Sequence, residues 1–398
     1  MIIGIDASNI RRGGGVTHLV ELLQFADPSV QGFSKLVLWS GQTTLNQVPD
    51  RPWLIKEYLP VLEKSILWRG LWQKYQLSNQ ARLHHCDVLF VPGGSYAGDF
   101  HPTVAMSQNL LPFEWKELAR YGWSLMTFKL LLLRLTQSRT FSSADGVIFL
   151  TDYAKSTVEK VTGVLPNTAV IPHGINQRFL MSPRLQKPIE SYTADHPFRL
   201  LYVSIIDQYK HQWHLVDAVA RLRQWTGWHL VLDLVGPAYP PALRRLQTCI
   251  ERHDSQENWV HYRGAIPFNQ LHSIYQEANL GIFASSCENM PNILLETMAT
   301  GLPVACSNRG PMPEMLDDDG VYFDPENPQD IARTLKRLIA SPELRTRLTS
   351  ASFTAAQQYT WKRCADQTFG FLASVDRQYS QKGQLCIATG VSRPNIAD

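Results

Sequence analysis

Apolar residues fall in short consecutive runs along this chain, separated by stretches with helical periodicity. In the first half the runs are Ile2–Asp6, Lys35–Trp39, Asp87–Val91, Thr103–Ser107 and Gly146–Leu150. In the second half they are Arg199–Ser204, His229–Val235, Trp259–Tyr262, Leu280–Ala284 and Pro303–Cys306. Several are apolar on successive residues, the pattern of strands covered by helices on both faces. Their alternation with helices predicts an α/β chain with parallel sheets built from βαβ units. Between the halves, Ser182–Pro197 carries Pro183, Pro188 and Pro197 with little apolar periodicity, and it reads as a linker. The expected organisation is a first domain over residues 1–181, a linker over 182–198 and a second domain over 199–355. A helical segment over 356–380 is expected to pack back toward the first domain, and 381–398 to form a flexible tail.

Composition sharpens this picture. At 398 residues the chain is long enough for two domains, and 44% hydrophobic with 18% charged residues fits a packed interior. The net charge is only +3 and the basic residues are scattered, which excludes nucleic acid as an expected partner. Cys86, Cys249, Cys287, Cys306, Cys364 and Cys386 form no CxxC pair and no Cys/His cluster at zinc spacing, so buried thiols are expected. The opening Met1-Ile-Ile-Gly-Ile-Asp6 has no signal-peptide pattern and reads as a buried first strand, so a cytoplasmic location is expected.

A helical stretch from about Tyr121 to Phe141 contains Phe128-Lys-Leu-Leu-Leu-Leu-Arg-Leu135. Lys129 and Arg134 interrupt it well short of the roughly 20 apolar residues that a membrane span needs. It reads as a core helix. The alternative is a helix lying on the inner membrane face, with Trp115, Trp123 and Lys129 at the headgroups.

Candidate chemistry concentrates in Phe283-Ala-Ser-Ser-Cys-Glu-Asn-Met-Pro-Asn-Ile-Leu-Leu-Glu-Thr-Met-Ala-Thr-Gly-Leu-Pro303. A strand ends at Ala284, Pro291 suits the first helical position, and Gly301 terminates the helix. Free N–H groups around Met290 to Ile293, on either side of Pro291 and including those of Asn292 and Ile293, should then point outward with the positive end of the helix dipole, ready for a diphosphate. Glu288 lies just before the helix and Glu296 inside it, so the two carboxylates can straddle a bound phosphate group. A carboxylate accepts two hydrogen bonds at once, which suits Glu296 to a ribose diol.

Glu288-x7-Glu296, followed by Ala-Thr-Gly301-Leu-Pro-Val-Ala and Gly310-Pro-Met-Pro-Glu314, resembles the signature of retaining glycosyltransferases of family four. Val170-Ile-Pro-His-Gly-Ile175, Leu201-Tyr-Val-Ser with Tyr209-Lys210, Val260-His-Tyr-Arg-Gly264-Ala-Ile-Pro and Gly13-Gly14-Gly15 extend the resemblance over roughly Met1–Tyr379. It implies the GT-B architecture, two Rossmann-like parallel-sheet domains facing across a cleft, with the first domain on the acceptor side. It also implies a sugar passed with retention from a nucleotide diphosphate sugar (UDP-, GDP- or ADP-linked) to a glycan or lipid-linked acceptor. Glu288 would stabilise positive charge at the anomeric carbon, Glu296 would hold the ribose hydroxyls, and Lys210 would neutralise the diphosphate. Backbone near Gly264 and Ile266 would read the base, and Gly14 and Gly15 would approach the phosphates.

Two positions depart from the family pattern. Ile205 stands where many members carry an arginine, and Met106-Ser-Gln108-Asn109-Leu-Leu-Pro112 stands where many carry a His-Asp pair. Gln108 and Asn109 can hydrogen-bond a sugar or leaving phosphate but cannot act as bases, so the acceptor's proton can go to the departing phosphate. His173 is a further candidate, or else it shapes the turn before Gly174. Asp317-Asp-Asp319 resembles a metal-binding DxD but reads as a surface turn, and no metal or other cofactor is expected. Two alternatives stay open: a non-catalytic sugar-nucleotide binding or scaffold protein, and a sugar-nucleotide epimerase on the same architecture.

Overall fold

The computed structural model describes residues 1–11, 13–256 and 258–389, the last seven (383–389) as backbone alone. Every sequence-predicted apolar run forms a strand, with ends shifted by no more than a residue. In the first half the strands are β1 (Ile2–Asp6), β2 (Lys35–Ser40), β3 (Leu54–Tyr58), β4 (Val88–Val91), β5 (Thr103–Met106), β6 (Gly146–Phe149) and β7 (Thr168–Val170). They pair in parallel as one sheet in the order β3-β2-β1-β4-β5-β6-β7. In the second half β8 (Phe198–Val203), β9 (Leu230–Val235), β10 (Val260–Tyr262), β11 (Leu280–Phe283), β12 (Val304–Ser307) and β13 (Val321–Phe323) form a second parallel sheet. Its order is β10-β9-β8-β11-β12-β13. The two sheets are Rossmann-like α/β layers of the kind the sequence predicts.

The three strands that the apolar runs do not announce, β3, β7 and β13, all lie at a sheet edge. An edge strand is partly open to water, so it needs no continuous apolar run: β3 reads Leu-Ile-Lys-Glu-Tyr and is only half-buried over most of its length.

The chain divides into two compact units. Unit 1 comprises Met1–Phe113, Trp123–Gly174 and Trp361–Asp398, and unit 2 comprises Glu114–Gly122 and Ile175–Thr360. Both are therefore discontinuous in sequence. This differs from the expected organisation at four places, one of them Glu114–Gly122, which falls in unit 2 and not in the first domain. Unit 2 begins at Ile175, ahead of the predicted linker. The proline-bearing stretch packs within unit 2: Met181 N–H donates to Ala299 O (3.0 Å), Arg184 reaches the carbonyls of Gln276, Tyr275 and Ala278, and Ile189 is buried. Its prolines set a fixed extended path there and do not mark a hinge. The final helix runs Trp361–Thr389, beyond the predicted fraying point at Gln381, and only 390–398 of the expected tail lie outside the described residues. Within unit 1 this helix packs Phe369 against Phe33 (6.5 Å between ring centroids).

The helix Leu125–Ser143 of unit 1 is not the core helix its leucines suggest. It buries Leu130, Gln137, Thr140 and Phe141 but leaves Leu125, Phe128, Leu132 and Leu135 exposed, with Trp123 fully exposed just before it. No helix among the described residues is long and apolar enough to cross a membrane. Cys86, Cys249, Cys287, Cys306 and Cys364 are buried free thiols, and the Cys386 side chain lies outside the described residues.

Candidate donor-binding and catalytic site

An open parallel sheet binds ligands beyond the carboxyl ends of its strands, at the point where strand order reverses direction. In unit 2 that point lies between β8 and β11, because β9 continues the sheet on one side of β8 while β11 lies on the other. The loop after β8 delivers Lys210, on a 3-10 turn Gln208–Lys210, and the loop after β11 delivers Glu288. The structure brings the two together: Lys210 Nζ donates to Glu288 Oε1 in a charge-assisted bond, with both side chains largely buried. The Lys210 ammonium also lies over the rings of Tyr209 (4.9 Å) and Phe283 (5.4 Å), and Tyr202 Oη donates to the Lys210 carbonyl (3.1 Å).

The helix that follows Glu288 runs Asn292–Ala299, beginning one residue later than the sequence places it, with Pro291 at its cap rather than at its first helical position. Gly281 on β11 lets this helix lie close on the sheet, since a Cβ there would fall 2.1 Å from Thr297 Cγ2. Leu294, Leu295 and Met298 are buried beneath it, each contributing roughly 1.5–3 kcal/mol of hydrophobic stabilisation. The helix ends at Gly301, whose φ of +63° favours glycine. At its start the amide of Asn292 donates to the Met290 carbonyl (3.0 Å), so the row of outward amides expected over Met290–Ile293 is interrupted there.

Glu296 sits inside this helix and is buried. Tyr275 Oη donates to its Oε2 (3.2 Å). Burial raises its pKa from 4.5 to about 8, while the Tyr275 bond and the charge of Arg178 pull the other way. Ile266 is half-buried beyond the end of β10; Gly264 beside it has φ +67°, and its carbonyl accepts from Gly236 N–H (2.8 Å). Ile205, in the place of the family's arginine, is exposed.

The segment Glu114–Gly122 supplies residues that the sequence does not point to. Although its neighbours in the chain belong to unit 1, it packs in unit 2 around the short helix Trp115–Ala119. A hydrogen-bonded chain starts at His211, passes its Nε2–H to Ser286 Oγ (2.8 Å), and continues from the Ser286 hydroxyl to Glu117 Oε2 (2.8 Å). Burial and nearby positive charge, Arg120 first, lower the His211 pKa to about 2, so the imidazole is neutral and carries its one proton on Nε2. Arg120 then pairs with Glu117 (2.6 Å) and with Glu326, and Tyr121 Oη donates to Asp207 Oδ1 (2.8 Å). Asp207 and Ser286 flank Lys210 and Glu288 in sequence, so the segment fixes both turns that carry the ion pair. Only the left-handed backbone of His211 (φ +55°) hints at a special position, and sequence alone does not reveal it.

In unit 1, Gly14 and Gly15 are not a loop but the first two residues of the helix Gly14–Phe25, entered through Gly13 with φ +72°. A Cβ on Gly15 would lie 3.1 Å from Gln108 Oε1, so glycine admits the Gln108 side chain. Gln108 Nε2 meets His18 Nδ1 at 3.2 Å, and His18 stacks on His173 (4.6 Å between centroids) with Trp361 alongside. His18, which sequence reasoning passed over, is fully buried; burial, with His173 beside it, holds its pKa well below the ordinary histidine value. His173 is thus a buried stacking residue as well as a neighbour of Gly174. Asn109 is exposed, and its Oδ1 accepts from Leu111 N–H (3.2 Å).

Asp317–Asp319 forms an exposed 3-10 turn. Among the described residues one group of metal-ligating side chains meets in space, Asp217 with Cys249 and His253. The sequence shows no such cluster because Asp217 lies on a different helix.

Comparison with known proteins agrees with this architecture. The profile of the family described as "Glycosyl transferases group 1" matches residues 186–354. The O-antigen chain mannosyltransferase B of Escherichia coli is 30% identical over 114 residues, 29% of this chain and 30% of that protein. The chain spans from 30% to 56% of the first three curated relatives it matches. A sucrose-phosphate synthase structure from Thermosynechococcus elongatus superposes with a TM-score of 0.70 at 17% identity, covering 98% of this chain and 100% of that one. Anabaena HepE, crystallised with UDP and glucose, superposes with a TM-score of 0.67 at 17% identity, covering 94% and 100%. Residues 186–354, which include the Glu288-x7-Glu296 segment, thus match the group 1 glycosyltransferases, and the two Rossmann-like units have the GT-B fold of these structures.

Proposed function

We propose that this protein transfers a hexose from a nucleoside diphosphate sugar to a glycan or lipid-linked acceptor, with retention of anomeric configuration and with no metal ion taking part in the transfer. The observation that carries this reading is the Lys210–Glu288 pair at the β8/β11 switch point, beside the start of the helix Asn292–Ala299. Breaking the bond between the anomeric carbon and the phosphate oxygen leaves negative charge on the diphosphate and positive charge on the sugar. Lys210 and the helix start stabilise the first, and Glu288 stabilises the second. The acceptor hydroxyl oxygen bonds to the anomeric carbon, and its proton passes to the departing phosphate. We assign Glu296 to the ribose hydroxyls and the backbone near Ile266 to the base. From unit 1 we assign Gly14 and Gly15 to the phosphates, and Gln108 and Asn109 to sugar hydroxyls. A neighbour bound to UDP and a relative named as a mannosyltransferase support a sugar-nucleotide donor class.

The test is one assay on purified protein with UDP-, GDP- and ADP-sugars, a glycan acceptor, and EDTA present throughout. The expected result is transfer from one donor class, with NMR of the first-formed product showing the donor's anomeric configuration. Activity lost in EDTA and restored by magnesium or manganese would overturn the metal-free reading, and an inverted product the retaining one. Donor binding without turnover would identify a binding protein, and donor isomerised without acceptor would identify an epimerase.

We also place the protein on the cytoplasmic side, in contact with the inner membrane face. Exposed Trp123, Leu125, Phe128, Leu132 and Leu135, with Lys129 and Arg139 exposed on the same helix, support a surface that enters the headgroup layer. Flotation with vesicles containing anionic lipid should carry the wild-type protein. Replacing Trp123 and Phe128 by serine should leave it at the bottom of the gradient; equal flotation of both would refute the contact.

A further inference from the structure

Two neighbouring helices of unit 2, Gln212–Thr226 and Pro240–His253, carry a second cluster of reactive side chains. Cys249 and His253 are four residues apart on one helix, hence on one face a turn apart. Asp217 projects toward them from the other helix. His253 Nε2 lies 2.6 Å and Cys249 Sγ 3.6 Å from the same oxygen, Asp217 Oδ1. One ligand atom from each residue lies within 4.8 Å of the other two. Ligands of a tetrahedral zinc ion at about 2.0–2.3 Å from the metal are separated by roughly 3.4 Å, so small side-chain rotations bring all three onto one ion.

We propose that Asp217, Cys249 and His253 bind a divalent transition-metal ion, zinc foremost, with water in the fourth position. The donor set is one sulfur, one imidazole nitrogen and one carboxylate oxygen, which favours zinc over magnesium or calcium, whose ligands are oxygens. Exposure fits as well: Cys249 is buried, whereas the side chains of His253 and Asp217 retain 24% and 28% exposure, leaving one side open to water. The rest of the environment holds the ligands in place. The Cys249 thiol also reaches the Trp213 carbonyl (3.4 Å), and the Arg245 guanidinium lies 4.0 Å over the Trp213 ring. The site differs in kind from the donor site and does not depend on the proposed transfer reaction. Binding there ties the helix that begins just after Lys210 to its neighbour, a structural cross-link at one end of the donor machinery.

Cobalt(II) tests the site without any activity measurement. Full-length protein stripped of metal by chelator is titrated with cobalt chloride and followed by absorption. The expected result is one equivalent bound, with visible bands of tetrahedral cobalt, a near-ultraviolet thiolate-to-cobalt band, and displacement of both by zinc. Cys249→Ser should lose the near-ultraviolet band, and His253→Ala should weaken binding by at least an order of magnitude. The half-exposed position of His253 keeps the test valid if Cys249→Ser fails to fold. No near-ultraviolet band in the wild type, or the same band and affinity in both variants, would overturn the proposal. Activity distinguishes the sites too: any transfer lost to chelation through this cluster would return with zinc and not with magnesium.

Discussion

Replacing Lys210 by alanine is expected to lower kcat/KM for sugar transfer by about 10²–10³-fold, roughly 3–4 kcal/mol of transition-state stabilisation. Its ammonium is held within bonding distance of Glu288 and over two aromatic rings, so it is fixed before any donor arrives. A preorganised charge spends no free energy on reorientation as the diphosphate departs. Glu288→Gln should lower kcat by a similar factor while changing donor affinity less, because positive charge at the anomeric carbon develops only in the transition state. Each substitution also leaves its buried partner without an opposite charge, which costs about 3–5 kcal/mol for an ion pair in a protein interior. Thermal melts must therefore accompany the kinetics. In the double variant Lys210→Met with Glu288→Leu, the melting temperature should recover while activity stays lost. Recovered activity in the double variant, or full activity in Lys210→Ala, would dismiss the pair as the core of the site.

Glu296→Gln should separate stability from donor binding in opposite directions. The folded-state pKa of about 8 lies above the unfolded value of 4.5, so the folded protein holds the extra proton between these values. Its stabilising contribution is complete below about pH 4.5, declines as pH rises, and is gone above about pH 8. Glutamine does not titrate, so the variant's melting temperature should gain on the wild type by several degrees between pH 5 and pH 8.5. Donor affinity should fall roughly 10- to 100-fold above about pH 8, where the wild-type carboxylate is charged and glutamine removes that acceptor for the ribose hydroxyls. A variant that gains no stability at high pH would place the Glu296 carboxylate in a better solvated setting than its burial indicates. Unchanged donor affinity would remove it from the site. A buried carboxylate that destabilises the resting protein is the kind of cost that functional sites retain.

The parts of the fold legible in sequence are those where one local rule suffices. Strands β1, β2, β4, β5, β6, β8, β9, β11 and β12 are covered on both faces or nearly so, and their consecutive apolar residues announce them; β10, at an edge, is announced by the run Trp259–Tyr262 although only half-buried. The edge strands β3, β7 and β13 escape because partial exposure relaxes that requirement. Glu288 and Glu296 stand out because Pro291 and Gly301 punctuate the helix between them. His18, Glu117 and Tyr121 do not stand out, because what makes them notable is a partner far away in sequence: Gln108, Ser286 and Asp207. The same holds for Asp217, whose cluster closes only when two helices pack side by side. The prolines of 182–198 mislead for a related reason, since their fixed backbone serves a packed path as well as a free linker.

The nine residues Glu114–Gly122 bear on how such proteins can be recombined. A chimaera joined once near residue 180 would pair a foreign donor half with this chain's Glu117, Arg120 and Tyr121. The newcomer's equivalents of Ser286, Glu326 and Asp207 would then face partners selected for another protein. An exchange of donor preference between relatives therefore has to graft this short excursion along with residues 175–360, as a single transplant in two pieces.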